Sequence, residues 1–237
     1  MFRVDSVRKF QMIDRSEKTS ANSSGTWIAG LYDRDCTACP RLAKFLRDSK
    51  LRFPDHVCRP VPAFGDPKPW LLIAGLAPGL HGANRTGRPF TGDYAGVLLY
   101  QTLFGLGLSN QPEGKDPADG LALKGVRITN AVKCVPPENK PDGAEIRRCN
   151  TYIAAEIAAL PSVKVILALG RIAHEAVLMA LGQRRSAFKF AHAAEHTING
   201  RHFIDSYHCS RYNTQTRRLT PEMFRAVMSR AVELGHV

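Results

Sequence analysis

Residues 163–170 read VKVILALG, a nearly continuous apolar run without the polar–apolar alternation of a half-exposed strand. A strand that shows water on neither face must be covered on both sides, the situation of a parallel sheet held between helices. Three other segments read as strands: 70–75 (WLLIAG), 126–134 (VRITNAVKC) and 202–208 (HFIDSYH). Helical patterns occupy 40–49, 94–108, 144–160 and 172–181, with 221–234 after the last strand. Strands alternating with helices predict an α/β fold: three α/β/α layers around a central, mostly parallel four-stranded sheet, joined by right-handed crossovers. Such folds bind ligands beyond the carboxyl ends of their strands, and the unusual residues of this sequence fall there.

A chain of 237 residues suffices for one such domain, expected over 26–237. Residues 1–25 are polar, end in a Ser/Asn/Gly cluster, and read as a flexible arm. The amino-terminal segment lacks the apolar core of a secretory signal, and no run approaches the roughly 18 apolar residues of a membrane helix, so the cytoplasm is the expected location. Lys and Arg outnumber Asp and Glu by 33 to 21, a net charge of +12. This surplus suits a polyanionic partner, because each phosphate neutralised releases a condensed counterion, although a basic balance also serves solubility alone. A monomer is the default expectation.

There are six cysteines: Cys36, Cys39, Cys58, Cys134, Cys149 and Cys209. A cytosolic protein of this size does not need disulfides, so metal binding is considered first. Cys36 and Cys39 form a C-x-x-C where a helix starts, with Pro40 suited to its first turn. Cys134 is expected at a strand end, and Cys149 on the inward helical face with Ile153, Ile157 and Leu160. Ninety-four residues separate Cys39 from Cys134, and 14 separate Cys134 from Cys149. Zinc ribbons use two tight pairs, whereas a cube-shaped cluster accommodates scattered thiolates. The spacing leaves open a cluster, a zinc ion, or buried thiols with no ligand role, and Cys58 and Cys209 are set aside.

Between the first strand and the next helix runs a loop, GLAPGLHGANRTGRPFTGD, from Gly75 to Asp93. It is neither G-x-G-x-x-G nor a phosphate-binding P-loop. Its glycines permit close backbone approach to a ligand, Arg85 and Arg88 offer charge for phosphates, and Phe90 offers either a stacking floor for a flat base or a plug into the core. Together with DCTACPRL, RPVPAFGDP, ITNAVKCVPPENKP and HCSRYNTQTRRLTP, this loop resembles the signatures of the family 5 (type B) uracil-DNA glycosylases, relatives of the family 4 enzymes. The resemblance runs in order from about Cys36 to Pro221.

That resemblance implies a [4Fe–4S] cluster on Cys36, Cys39, Cys134 and Cys149. It implies an enzyme that flips a deaminated base out of DNA and hydrolyses its glycosidic bond, with uracil as substrate and hypoxanthine and xanthine as further candidates. Asn130 would read the base, donating to one carbonyl and accepting from the ring N–H. His208 would donate to uracil O2, where charge grows as the bond breaks. Gly75, Ala77, Gly79 and Phe90 would line the base site. The first loop holds no carboxylate at Ala77 or Gly79, so His81 and Asp93 are the nearest groups able to position water, and Asp93 is equally suited to cap the helix beginning near Tyr94. Arg85, Arg88, Arg211, Arg217 and Arg218 would grip double- or single-stranded DNA, and Tyr212 or Arg211 would wedge into the gap left by the flipped base.

Two other readings share these residues. A nucleic-acid-binding module on the same fold would bind uracil-DNA without releasing the base and would tolerate changes at Asn130. A zinc-stabilised α/β hydrolase or nucleotide-binding enzyme would be colourless and indifferent to DNA, but the G-x-S-x-G elbow of the α/β-hydrolases is absent from the sequence.

Overall fold

A computed structural model describes residues 31–236. The expected arm over 1–25 lies outside the described residues. No helix among them is long and apolar enough to cross a membrane.

In chain order the elements are α1 (Pro40–Arg52), β1 (Phe64–Gly65), β2 (Leu71–Gly75), α2 (Ala83–Thr86), α3 (Tyr94–Gly105), β3 (Val126–Asn130), α4 (Gly143–Ala159), β4 (Val165–Leu169), α5 (Arg171–Ala180), β5 (Glu195–Ile198), β6 (Arg201–Ser206), α6 (Arg211–Gln215) and α7 (Pro221–Gly235), with single 3₁₀ turns at Pro137–Asn139 and Arg185–Ala187. The sheet has six strands in the order β1-β3-β2-β4-β6-β5. The four inner strands are parallel and are those read from the sequence, while β1 and β5 add antiparallel edges. Alternation along the inner strands builds two apolar layers. Leu71, Ile73, Val126, Ile128, Val165 and Leu167 meet α3 and α7 through Leu99, Leu103, Phe224 and Met228. Leu72, Ala74, Ile166 and Ala168 meet α4 and α5 through Ile153, Ile157 and Val177. Burying a side chain of this size contributes about 1.5–3 kcal/mol, so the two layers are what hold the sheet between its helices.

Two strand ends differ from the sequence expectation. The run expected over 126–134 leaves the sheet at Asn130. The Ala131 and Val132 amides donate to the carbonyls of Gly75 and Leu76, curling the chain toward α1. Val132 and Cys134 therefore pack with Leu42 and Leu46 in a third, smaller cluster and not with Val126 and Ile128. Likewise β6 stops at Ser206, so His208 stands in the loop beyond it, and that loop contains the short helix α6.

Candidate active site

The register of β2 and β3 pairs Gly75 with Asn130 at the carboxyl ends of both strands. Asn130 is 3% exposed, and its Oδ1 is buried without a hydrogen-bond partner among the described residues. An unpaired buried acceptor costs about 1–3 kcal/mol, a cost a ligand N–H would remove. The absence of a side chain at Gly75 keeps this atom open: a Cβ there would lie 2.5 Å from Asn130 Oδ1 and 2.7 Å from Phe90 Cζ. Glycine, amide and ring thus converge on one spot. Phe90 holds a left-handed backbone (φ 53°), strained for a bulky side chain. Its carbonyl presses on α3 so closely that a Cβ at Gly96 would lie 1.8 Å from it.

The His208 ring lies near Phe90, with centroids 6.0 Å apart and planes 26° from parallel. Asn213 Nδ2, from α6, donates to the His208 carbonyl at 2.8 Å and fixes the loop. Burial lowers the His208 pKa to about 4, so at neutral pH the ring is uncharged and carries one N–H able to donate. Asp93 caps α3, its Oδ1 accepting from the Gly96 amide at 2.9 Å. Its Oδ2 faces the first loop, 3.6 Å from where a Gly79 Cβ would stand. Burial raises the Asp93 pKa, opposed by the amides of Gly96 and Ala95. The capping role is thus present, and the second carboxylate oxygen remains directed at the loop.

The remaining expected residues divide. Ala77 packs toward the small cluster around Leu42 and Val132. His81 is exposed and sits edge-on to Phe53 and His56, apart from the Gly75–Phe90–Asn130–His208 group. Arg85 Nε donates to the His81 carbonyl across the loop. Arg211 lies over the ring of Tyr94 at 5.8 Å, and Tyr212 beside it is 71% exposed, so the first and last loops present aromatic and cationic groups together. Arg217 is exposed.

Arg88, expected at phosphates, is a correction. It is buried, donates from Nη1 and Nη2 to both carboxylate oxygens of Asp119 at 2.9 and 2.7 Å and from Nε to Thr91, and lies over the Phe64 ring. Burial alone would raise the Asp119 pKa, but Arg88 and three backbone amides hold its carboxyl far below the usual range. Arg88→Ala would leave Asp119 without its cation, and an expected loss of about 3–5 kcal/mol would appear in denaturant melts. The salt dependence of DNA binding would stay unchanged; a shallower salt slope would return Arg88 to the DNA contacts.

Cys36, Cys39, Cys134 and Cys149 line one cavity of about 250 Å³. Burial, then the neighbouring Cys149, Cys36 and Cys39, push the Cys134 thiol well above its usual range. The Lys133 amide donates to Cys149 Sγ at 3.2 Å. No group of three or more His, Cys, Asp or Glu among the described residues is arranged to hold a single metal ion. Arg41 of α1 binds both oxygens of Glu145 of α4, and Arg148 donates to the Ala38 carbonyl, stapling the C-x-x-C turn to the helix bearing Cys149. Cys58 and Cys209 are buried but do not line this cavity. On the α4 side of β3, Glu156 accepts from Arg127 and Thr129 at 2.6 and 2.7 Å, with Lys133 Nζ 3.6 Å away. This buried charged group anchors the strand that carries Asn130 to the helix that carries Cys149.

The sequence reading missed Lys133 and Arg148 around the thiols, and Arg171, Phe190 and Tyr207, which line a second cavity beside His208. Of these only Arg171 carried a signal, as the first helical residue after an apolar strand and glycine (LALGR).

The model of a family described as the uracil DNA glycosylase superfamily matches residues 62–231. A type-5 uracil-DNA glycosylase of Thermus thermophilus is 50% identical over 206 residues, 84% of this chain and 94% of that protein. A type-5 enzyme of Pyrobaculum aerophilum is 40% identical over 211 residues, 86% and 92% of the two chains. A type-4 uracil-DNA glycosylase from the same organism is 33% identical over 152 residues, 64% of this chain and 63% of its own.

Proposed function

Because the chain belongs to the uracil-DNA glycosylase superfamily, we propose that it releases uracil, and with it hypoxanthine and xanthine, from DNA by hydrolysis of the glycosidic bond. The enzyme class, a DNA glycosylase, follows from the family. The observation that carries the reading is the buried, unpartnered Asn130 Oδ1 beside Gly75 and Phe90. With the amide oxygen toward the pocket, Asn130 pairs with a base that offers an N–H beside a carbonyl. Uracil, hypoxanthine and xanthine all present that edge, whereas cytosine and adenine present a ring acceptor beside an amino donor.

The flipped base lies on Phe90. With uracil, as the C1′–N1 bond breaks its electron pair passes into the base, and the neutral His208 N–H donates to the developing charge on O2. Water adds to C1′ and gives a proton to Asp93, whose raised pKa suits it to accept one. Arg85, Arg211 and Arg217 meet the phosphates, and Tyr212 fills the gap left in the duplex.

We assign the four cavity-lining thiols to a [4Fe–4S] cluster. Four soft sulfur donors without a carboxylate or imidazole on the lining support it, and Lys133 and Arg148 are placed to offset its charge. When bound, the cluster would act as a scaffold tying α1 and α4 to the segment that follows Asn130.

Single-turnover assays on duplexes carrying U, hypoxanthine, xanthine, C or A opposite a normal partner test the reading, with abasic sites scored after alkali. Release of the first three and not the last two is expected; intact strands with all five would leave a binding protein. Asp93→Asn keeps an oxygen to cap α3 but removes the base, so an unchanged melting temperature with a rate about 10²–10⁴-fold lower is expected. A rate within a few fold of wild type would reduce Asp93 to a cap.

A further inference from the structure

The four thiols that share the 250 Å³ cavity are not equivalent. Cys134 and Cys149 are buried, whereas Cys36 and Cys39 are partly exposed. Three of the four sulfurs meet a different donor. Cys149 Sγ accepts from the Lys133 amide at 3.2 Å, and the Arg148 side chain bonds to Cys39. The Tyr152 hydroxyl makes a side-chain hydrogen bond with Cys36. Arg148 and Tyr152 lie four residues apart on α4, with Cys149 three before Tyr152, so one side of the helix carries a ligand and two of the donors. All three residues line the cavity.

Cys36 depends on its donor more than Cys39 does. Cys39 is the N-cap of α1, and its carbonyl accepts from the Ala43 amide. Cys36 precedes the helix, in a turn. The ion pair beside it, Arg59 with Asp35 at 3.0 Å, is exposed at both ends, and pairs of that kind contribute little. Tyr152, by contrast, is well placed to hold a neighbour. The Tyr32 ring packs against its ring, with centroids 6.5 Å apart and planes 56° from parallel. The Tyr32 hydroxyl in turn donates to the carbonyl of Pro60, which also lines the cavity.

We propose that Tyr152 is the positioning residue of Cys36: its hydroxyl donates to the Cys36 sulfur and keeps it on its iron, while its ring and that of Tyr32 cover the partly exposed side of the cavity. This rests on the assignment of the four thiols to an iron–sulfur cluster and names the corner from which iron would be lost first. A thiolate sulfur is a charged acceptor, for which a hydroxyl donor is worth more than for a neutral one. Hydrogen bonds to sulfur and exposure to solvent are two of the means by which a protein tunes such a group. A tyrosine acting through packing alone would be replaced by phenylalanine without effect.

The test uses the full chain as purified, with iron and colour measured before any variant is compared. Ferricyanide and EDTA are added, and the loss of visible absorbance is followed. Tyr152→Phe keeps the ring and should bleach about tenfold faster than wild type. Tyr152→Ala, which also uncovers the cavity, should bleach faster again. Thr151→Ala is the control, because Thr151 lines the same cavity but its hydroxyl donates to the Arg148 carbonyl at 3.2 Å, and it should bleach at the wild-type rate. Visible circular dichroism, which responds to geometry at the sulfurs, should change in Tyr152→Phe and not in Thr151→Ala. Bleaching of Tyr152→Phe at the wild-type rate, or equal acceleration in Thr151→Ala, overturns the proposal and leaves the cluster in place. A wild-type protein that purifies without iron ends the cluster reading itself, and the role of Tyr152 with it.

Discussion

Asn130→Ala is expected to lower single-turnover uracil release by about 10²–10³-fold while leaving the protein folded. In the proposed pocket the amide would supply a donor and an acceptor to the base edge, and alanine offers neither. Its cost to the free protein runs in the opposite direction. Asn130 Oδ1 is buried and has no hydrogen-bond partner among the described residues, on the strand face that also carries Val126 and Ile128. Asn130→Leu, of similar size, should therefore relieve part of the about 1–3 kcal/mol desolvation cost and raise the melting temperature by about 2–4 °C per kcal/mol. Activity lost with stability gained would mark Asn130 as a residue kept for its ligand. A drop in melting temperature for Asn130→Leu, with release intact in Asn130→Ala, would identify a structural asparagine and overturn the pocket.

The second large effect is expected at the thiols. If the proposed cluster is bound, wild type should purify straw-brown with iron, and Cys149→Ser should lose that colour and iron and melt lower by well beyond the usual point-mutant range of about 0.5–3 kcal/mol. The thiol sits where α1, α4 and the segment after Asn130 meet, so losing it as a ligand of the proposed cluster would loosen all three at once. Cys58→Ser provides the control, since Cys58 is buried but does not line the cavity. If both variants kept colour and iron equally, the cluster would have to reside elsewhere.

The parallel core of the sheet was legible because residues buried on both faces make unbroken apolar runs, as in β4. The edge strands were not. β1 has two residues, and β5 (EHTI) alternates exposed and buried positions among polar side chains, so neither leaves a run to detect. The end of β3 was hidden for another reason: Ala131 and Val132 remain buried after leaving the sheet, and apolar character does not report which cluster a residue joins. Asn130, His208 and Phe90 were singled out through their place in motifs, and the structure sets Phe90 beside both Asn130 and His208. Arg88 was misassigned because its partner, Asp119, lies 31 residues away and no local pattern links them. The cavity beside His208 was invisible because its two cations, Arg171 and Arg218, come from α5 and from the segment before α7, far apart in the chain.

The contact between the Phe90 carbonyl and Gly96 bears on how this protein can adapt to heat. Alanine in place of a glycine inside a helix is ordinarily worth about 1 kcal/mol, and such exchanges are among the simplest routes to a higher working temperature. At Gly96 the route is closed, because the added methyl would meet the Phe90 carbonyl at 1.8 Å and force the backbone of the first loop to move. Helix α3 thus carries a permanent deficit in its own stability, and thermal selection acting on this chain must find its gains elsewhere.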